Sequence, residues 1–355
     1  MSIKTERQQA SQVIADLEQS AFVNRYWRAI GAFLGKGKPV SIWVSAAVVM
    51  GANLLLGVTV SVVLRETQFT SFEAILKSAT WVIFSYFTIP LFVGANVRLI
   101  EFLRLHLVES IQNEQHLHEL LDWLHRWLGK PLSQLLFYIG SSIVISLLGF
   151  YAIYPSSAFS IGVTIIYFIN FFHLTTGLYG LISLFAFLLK LKLWNLTLYS
   201  DDPSSSPILI QLSRELRNYI LTMAFGGAGL LLTAGLLGTI SLLLIISMLA
   251  IVWMPIIALF LLGNHAFSQQ ITRVKYERLE KLQSRIMKLS NVEKMDKETT
   301  AHIMGLMDYH DRVKVTRNSL YNTEAFTNLI GSLALPLFAA FLSAIDVWQK
   351  FFGKP

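Results

Sequence analysis

Seven apolar stretches separated by polar connections constrain this 355-residue chain more than any other feature. A helix that crosses the hydrocarbon core of a bilayer needs about 20 consecutive, mostly apolar residues. Only 14% of the residues are charged, whereas a soluble domain has about 25%. Gly235 and Gly238 divide one long apolar run into a predicted hairpin of two spans. The predicted spans are 40–64, 79–99, 133–154, 158–189, 217–236, 239–263 and 324–346.

Positive charge is concentrated in alternate connections between these stretches. Of the 29 Lys and Arg residues, 25 lie in segments 1–39, 98–132, 190–217 and 264–323. Cytoplasmic connections are enriched in Lys and Arg, and all four segments share one side only if the chain crosses seven times. We therefore expect an all-α, polytopic integral membrane protein of the cell (inner or plasma) membrane, with seven transmembrane helices, a cytoplasmic N-terminus and an outer C-terminus. The net charge of +7 then reflects membrane orientation, and no nucleic-acid partner is expected.

The polar connections predict a helical cytoplasmic layer and four regions of the chain. Gly129 and Pro131 end an amphipathic helix at 100–128, which either extends the second span or lies on the inner membrane surface. The regions are a cytoplasmic amphipathic segment at 1–39, a six-helix transmembrane region at 40–263 with cytoplasmic helices at 100–128 and 208–217, a cytoplasmic helical connection at 264–320, and a final span with a short outer tail at 321–355.

Two of the inner connections contain local signals for helices and turns. Ser206 followed by Pro207 is typical of a helix start. The preceding pair Asp201 and Asp202 fits either a structural turn or a Ca²⁺ site. In the longest connection, apolar residues at helical spacing predict a helix that continues from the sixth span and packs against its own chain or a neighbouring subunit. A second helix at about 297–317 returns toward the last span.

Strongly polar residues inside predicted spans are functional candidates because burying them in lipid is costly. Asn170 and His173 of the fourth stretch are three residues apart and share one helix face. They could form a hydrogen bond between helices, or serve in permeation, proton relay or ligand binding. Gly177 and Gly180 are candidate break points in this long stretch. The predicted polar site consists of Tyr167, Asn170, His173 and Thr176.

The last predicted span has a small or polar stripe at a spacing close to 3.6 residues. This stripe either packs closely against another helix or lines a water-filled path. With carboxylates at both mouths of such a path, cations would be favoured. The predicted pore-lining residues are Glu324, Asn328, Ser332, Ser343 and Asp346.

The sequence contains no nucleotide-binding, nucleophile-elbow or zinc-protease motif, so we expect no enzymatic activity and no cofactor. His118, Asp122 and His125 share one helical face and are weak candidates for a metal site. A solvated polar face explains this spacing equally well. A second candidate group of the same kind comprises His302, Asp308, His310 and Asp311.

Together these patterns favour a homo-oligomeric, cation-permeable channel in which the last span lines the pore and the cytoplasmic helices serve assembly or gating. The predicted topology resembles that of insect odorant and gustatory receptor channels in its number of spans and its orientation. One alternative is a secondary transporter that uses the polar site of the fourth stretch. Another is a receptor or scaffold whose cytoplasmic helices bind a protein partner. The expected partners are the lipid bilayer, further copies of the chain and a cytoplasmic protein.

Overall fold

The described part of the chain is built from α-helices joined by turns. The computed structural model describes residues 3–38, 40–66, 71–153, 160–236, 250, 253–290 and 296–320. Within these ranges there is no β-strand, and ten α-helices have 13 or more residues. In chain order they are α1 Ile3–Ser20, α2 Phe22–Leu34, α3 Ile42–Val63, α4 Phe72–Phe102, α5 Glu114–Leu128, α6 Pro131–Ile153, α7 Ile161–Leu191, α8 Pro207–Leu236, α9 Met254–Ser290 and α10 Lys297–Val315.

Three helical segments of the described residues are long and apolar enough to cross a membrane, namely Ile42–Val63, Ala74–Ser110 and Ile161–Leu191. A fourth is added if Glu114–Leu128 and Pro131–Leu147, which meet at a bend of 51°, count as one broken span. The all-α prediction is confirmed for the described residues, and these segments are consistent with a helical membrane protein.

The remaining predicted spans fall partly or wholly on other parts of the chain. The fifth, 217–236, forms the last two thirds of α8. The sixth, 239–263, lies partly outside the described residues, and the seventh, 324–346, lies entirely outside them.

Serine side chains define where three of the long helices begin. The hydroxyl oxygens of Ser41, Ser71 and Ser160 accept backbone N–H groups three residues later in α3, α4 and α7, at 3.4, 3.3 and 3.1 Å. Such caps satisfy amide groups that have no partner within the helix. The start of each of these three helices is therefore defined by a serine that caps it.

Helices α3 and α7 cross at two glycines. A Cβ added to Gly57 would lie 2.8 Å from the carbonyl oxygen of Gly162, and would also collide with the side chain of Ile166. Two backbones can approach this closely only where neither residue carries a side chain. Just beyond the crossing, the Glu66 carboxylate accepts the N–H of Ile161 at 2.8 Å. The α3–α7 contact is thus formed by two glycines at the crossing and by the Glu66 carboxylate at the start of α7.

Helix α7 is continuous through Gly177 and Gly180, so neither glycine is a break point. Instead, both are contact positions for α8. The Tyr219 hydroxyl donates to the Gly177 carbonyl oxygen at 3.0 Å, and a Cβ at Gly180 would collide with that same hydroxyl. In the same way Gly229 of α8 lies against the ring of Phe84 in α4. The glycines therefore bring helices together without interrupting them.

The sequence pattern predicted one helix over 100–128, and this prediction is wrong. The segment contains the end of one helix, a break and a second helix. Helix α4 continues as a π-helical turn, Leu103–Leu107, and ends at Ser110. An isolated antiparallel bridge then joins Ile111 to Leu196, and α5 starts after Asn113. The chain breaks here because its backbone pairs with a distant segment. Helix α5 ends at Leu128 before Gly129, as predicted.

Helices α1 and α2 pack directly on the rest of the bundle. Helix α1 lies against α5, and its buried residues Ala10, Ile14 and Leu17 join the main hydrophobic core. Helix α2 contacts α3 and α6. Helices α9 and α10 form a hairpin at the other end of the described chain. Helix α9 is one unbroken element of 37 residues, and its first ten residues overlap the predicted sixth span.

Candidate functional site

The best-defined polar contact in the long apolar helices involves His173 of α7 and Tyr26 of α2. The His173 ring is 3% exposed. Its Nδ1 lies 2.7 Å from the Ile169 carbonyl oxygen, and its Nε2 lies 2.9 Å from the Tyr26 hydroxyl. Because a carbonyl oxygen only accepts, Nδ1 carries the hydrogen. In the neutral ring, Nε2 then accepts the hydrogen of Tyr26. Both ring nitrogens therefore have protein partners.

Aromatic rings surround this contact on several sides. The ring centroids of Tyr26, Trp27 and Phe172 lie 5.4, 5.3 and 5.4 Å from that of His173. Burial raises the pKa of the Tyr26 phenol to about 12, so the hydroxyl keeps its proton near neutral pH. The Tyr26–His173 hydrogen bond is thus surrounded by aromatic rings.

A second polar contact lies one helical turn away on α7. The Asn53 amide nitrogen of α3 donates to the Ile166 carbonyl oxygen at 3.1 Å and to Asn170 Oδ1 at 3.5 Å. Both asparagines are 2% exposed. Among the described residues, Asn53 Oδ1 and Asn170 Nδ2 have no hydrogen-bond partner. Buried polar atoms of this kind are normally satisfied by water or by a ligand.

The four residues of the predicted polar site do not converge on one point. Asn170 bonds to α3, whereas His173 bonds to α2. The Thr176 hydroxyl donates to the His173 carbonyl oxygen of its own helix at 2.6 Å. Tyr167 is buried, and its ring centroid lies 6.1 Å from that of Trp81 in α4. The shared face of α7 therefore contacts three different helices.

The candidate metal ligands of α5 remain on the surface. His118, Asp122 and His125 are all exposed. Within the described ranges, no group of three or more His, Asp or Glu side chains is arranged to hold a metal ion. This also applies to α10, where the His310 ring lies 3.3 Å from the Asp311 carboxylate. The structure thus provides no assembled metal centre from these candidates.

The five predicted pore-lining residues lie outside the described residues, but the segment that leads to them is described. The Lys275 ammonium of α9 donates to the Thr316 carbonyl oxygen at 2.6 Å and to Asn318 Oδ1 at 2.8 Å. The Ser319 hydroxyl donates to Asn264 Oδ1, also at 2.8 Å. We call this set of contacts the α9 clamp. It attaches residues 316–319, which lead toward the predicted last span, to two positions of α9.

A different face of α9 is bonded to the end of α7. Gln270 is fully buried, and its amide donates to the carbonyl oxygens of Leu191 at 2.5 Å and Trp194 at 2.8 Å. The Arg273 guanidinium also donates to the Trp194 carbonyl oxygen. The Trp194 indole in turn donates to Glu119 of α5 at 2.9 Å. Trp194 is thus a junction between α5, α7 and α9.

The acidic loop before α8 is held by hydrogen bonds within the loop and by one from α10. Asp202 Oδ1 accepts the Ser204 N–H at 3.1 Å and begins a 3₁₀ turn. The Asp201 carboxylate accepts the Tyr309 hydroxyl of α10, and this bond together with one from Ser200 holds the Asp201 pKa below its ordinary 3.8. These hydrogen bonds agree with the structural turn, one of the two sequence interpretations. Near it, burial lowers the pKa of Lys275, an effect that Asp202 partly offsets.

Sequence reasoning missed Tyr26 and Lys275, which make the most informative long-range contacts. Tyr26 lies beside Trp27 in a basic amphipathic segment, and this aromatic pair was the available signal for insertion into the bundle. Lys275 looks like any other cation of a charged helix, and its 5% exposure becomes evident only in the folded chain.

Searches among protein-family models, characterised proteins and solved structures find no match to this chain.

Proposed function

We propose that the chain is a seven-span, homo-oligomeric membrane channel that conducts cations, with its N-terminus in the cytoplasm. In this proposal the last span lines the pore, and acidic side chains at its two ends favour cations. The inner helices α5, α9 and α10 hold the subunits together and transmit gating. The proposed pore-lining residues are Glu324, Asn328, Ser332, Ser343 and Asp346.

The observation that carries this proposal is the α9 clamp. Residues 316–319 directly precede the proposed pore helix and are bonded to Lys275 and Asn264. Helix α9 runs without a break from Met254 to Ser290, so a displacement of its inner half is transmitted along one rigid element. Such an attachment is the mechanical connection that gating of a terminal pore helix requires.

Planar-bilayer recording of the purified full chain tests the proposal. We expect single-channel currents carried by cations. Glu324→Gln and Asp346→Asn should each lower cation conductance or selectivity, because each removes one charge per subunit from a mouth of the pore. Glu277→Gln is the matched control, since this exposed carboxylate of α9 lies outside the proposed pore.

Two results would contradict the channel proposal. One is the absence of conductance under every tested voltage and ionic condition, combined with a monomeric particle in detergent. The other is cation conductance that is equal in the wild type, Glu324→Gln and Asp346→Asn. Lys275→Met supplies a separate readout: it should alter open probability and leave single-channel conductance unchanged, because the ammonium contacts the approach to the pore helix and not the pore.

The pair Asn53 and Asn170 favours a second candidate function, a secondary transporter with a polar site between α3 and α7. One acceptor and one donor atom there are buried without a partner among the described residues. Asn170→Leu removes the hydrogen-bonding groups at similar volume. For a transporter we expect this substitution to abolish substrate uptake. Uptake equal to that of the wild type would remove the pair from any transport role.

A further inference from the structure

A cavity of about 750 Å³ lies between α1, α2, α4 and the turn that leads into α3. Pockets that hold small ligands have volumes of roughly 300–1,000 Å³. Its lining includes neither the hydrogen-bonding pairs of His173 and Asn170 nor the α9 clamp, although Trp27 borders both the cavity and the His173 ring. Nothing in the proposed channel function requires it.

Helix α4 supplies a wall that changes from apolar to charged. Val93, Val97, Glu101 and Arg104 all line the cavity, and their spacing of four, four and three residues places them on one helix face. At about 1.5 Å per residue, the line from Val93 to Arg104 is roughly 16 Å long. The cavity is therefore amphipathic along the helix axis.

The opposite wall comes from α2 and the beginning of α3. The buried ring of Trp27 lines the cavity, as do Val40 and Ile42 where the first candidate span begins. Arg28 lies beside Trp27 and is exposed. The lining of the cavity thus combines apolar span residues and an aromatic ring with charged side chains of α1, α2 and the end of α4.

Within the described part of the chain, no carboxylate forms an ion pair with either arginine of the cavity. The Arg28 guanidinium is oriented by bonds to the carbonyl oxygens of Asn24 at 3.2 Å and Gln19 at 2.8 Å. Among the described residues, neither Arg28 nor Arg104 forms an ion pair within 4.0 Å. Guanidinium groups with free N–H donors are suited to phosphate oxygens.

Two carboxylates, those of Glu18 and Glu101, line the same cavity. The lining therefore has two positive and two negative groups, which matches a headgroup that has charges of both signs. An ammonium group with N–H donors can bond to carboxylates, whereas a quaternary ammonium group has no donor to offer.

We propose that this cavity binds one phospholipid molecule with a phosphoethanolamine headgroup. The phosphate lies at Arg28 and Arg104, and the primary ammonium lies at Glu18 and Glu101. An acyl chain follows the apolar wall toward Val93. The lipid then fills the gap between the N-terminal helices and the candidate spans.

Native mass spectrometry of the purified full chain tests this assignment with three added lipids of equal chain length: phosphatidylethanolamine, phosphatidylcholine and phosphatidylglycerol. We expect one phosphatidylethanolamine per chain, bound about tenfold more tightly than either of the others. Arg28→Gln and Arg104→Gln should each weaken its binding by about tenfold, since each removes a charge-assisted contact. Arg25→Gln in α2 and Arg98→Gln in α4 are matched controls, because both arginines are exposed and lie outside the cavity lining.

A second variant fills the cavity without changing its charge. Ala32 is an exposed residue of the lining, so Ala32→Trp should displace the lipid while the protein keeps its elution volume and thermal midpoint. The proposal is overturned if phosphatidylcholine or phosphatidylglycerol binds as tightly as phosphatidylethanolamine. It is also overturned if lipid binding is equal in the wild type, Arg104→Gln and Ala32→Trp.

Discussion

The Nε2 atom of His173 and the hydroxyl oxygen of Tyr26 lie 2.9 Å apart, although 147 residues separate them in the sequence. This bond attaches the amphipathic helix α2 to the middle of the 31-residue helix α7. The N-terminal segment is therefore part of the helix bundle and not only a layer beside it. The rings of Trp27 and Phe172 pack against His173, which is 3% exposed.

Tyr26→Phe should destabilise the folded chain by about 1–3 kcal/mol, because it leaves the buried His173 Nε2 without a partner and keeps the ring contacts. Thermal unfolding in detergent, followed by circular dichroism, measures the change. Tyr276→Phe is the control, since Tyr276 is 64% exposed. If both variants unfold at the wild-type temperature, the Tyr26–His173 bond contributes nothing to stability.

Two glycines of α3 should respond oppositely to alanine. Gly57→Ala places a Cβ 2.8 Å from the Gly162 carbonyl oxygen and should cost about 1–3 kcal/mol through overpacking. Gly51→Ala meets nothing within 4 Å and should stabilise the helix by about 0.5–1 kcal/mol. Thermal midpoints of the two variants provide the comparison. A Gly57→Ala protein as stable as Gly51→Ala would contradict the close crossing of α3 and α7.

The Glu66 carboxylate should stabilise the start of α7 in a pH-dependent manner. Partial burial acts to raise its pKa, but bonds from Ser160, Ile161, Ser61 and Gly162 outweigh burial and lower the pKa below its ordinary 4.5. Since the folded-state pKa is the lower one, the stabilisation is fully present above pH 4.5 and is lost as the pH falls through the folded-state value.

Glu66→Gln should therefore lower the thermal midpoint at a pH of about 7, by an amount equivalent to about 1 kcal/mol. The difference from the wild type should shrink in acid below the ordinary pKa. Glu277→Gln, on the exposed face of α9, controls for a general change of charge. A difference that stays constant from neutral to acidic pH would show that the negative charge is not what stabilises this helix start.

Lys275→Met should loosen the attachment of residues 316–320, which lead toward the last predicted span, to α9. The ammonium is 5% exposed and donates to Thr316 and Asn318, so its removal leaves both acceptors without this partner. We expect amide hydrogen exchange across 316–320 to become about tenfold faster, as local opening becomes easier. Lys281→Met, at an exposed position of α9, should leave this exchange unchanged. Equal exchange in both variants would contradict the clamp.

Local signals predicted the limits of several helices. Helix α8 starts at Pro207 and α5 ends at Leu128, because proline, serine and glycine act on the backbone within a few residues. The Ser206 side chain, however, accepts the Tyr199 N–H at 2.8 Å and does not cap the helix. Its bonding depends on a folded loop that residue spacing does not describe.

The partners of the polar residues could not be predicted in this way. Asn170 and His173 share one face of α7, as their spacing required, yet one contacts Asn53 and the other Tyr26. Likewise, Gly177 and Gly180 look like break points in the sequence and are contact positions for Tyr219. A glycine permits both a bend and a close approach, and only the neighbouring helix decides between them.

The sequence by itself determined the helical class, the candidate spans in α3, α4 and α7, and the amphipathic faces of the inner helices. These properties follow from hydrophobic periodicity and length, which each segment contains without reference to the others. The tertiary structure alone decided that Tyr26 reaches His173, that Lys275 holds the approach to the last predicted span, and that Arg28 and Arg104 line one cavity. Such contacts join residues far apart in the chain, so they depend on how helix faces pack together.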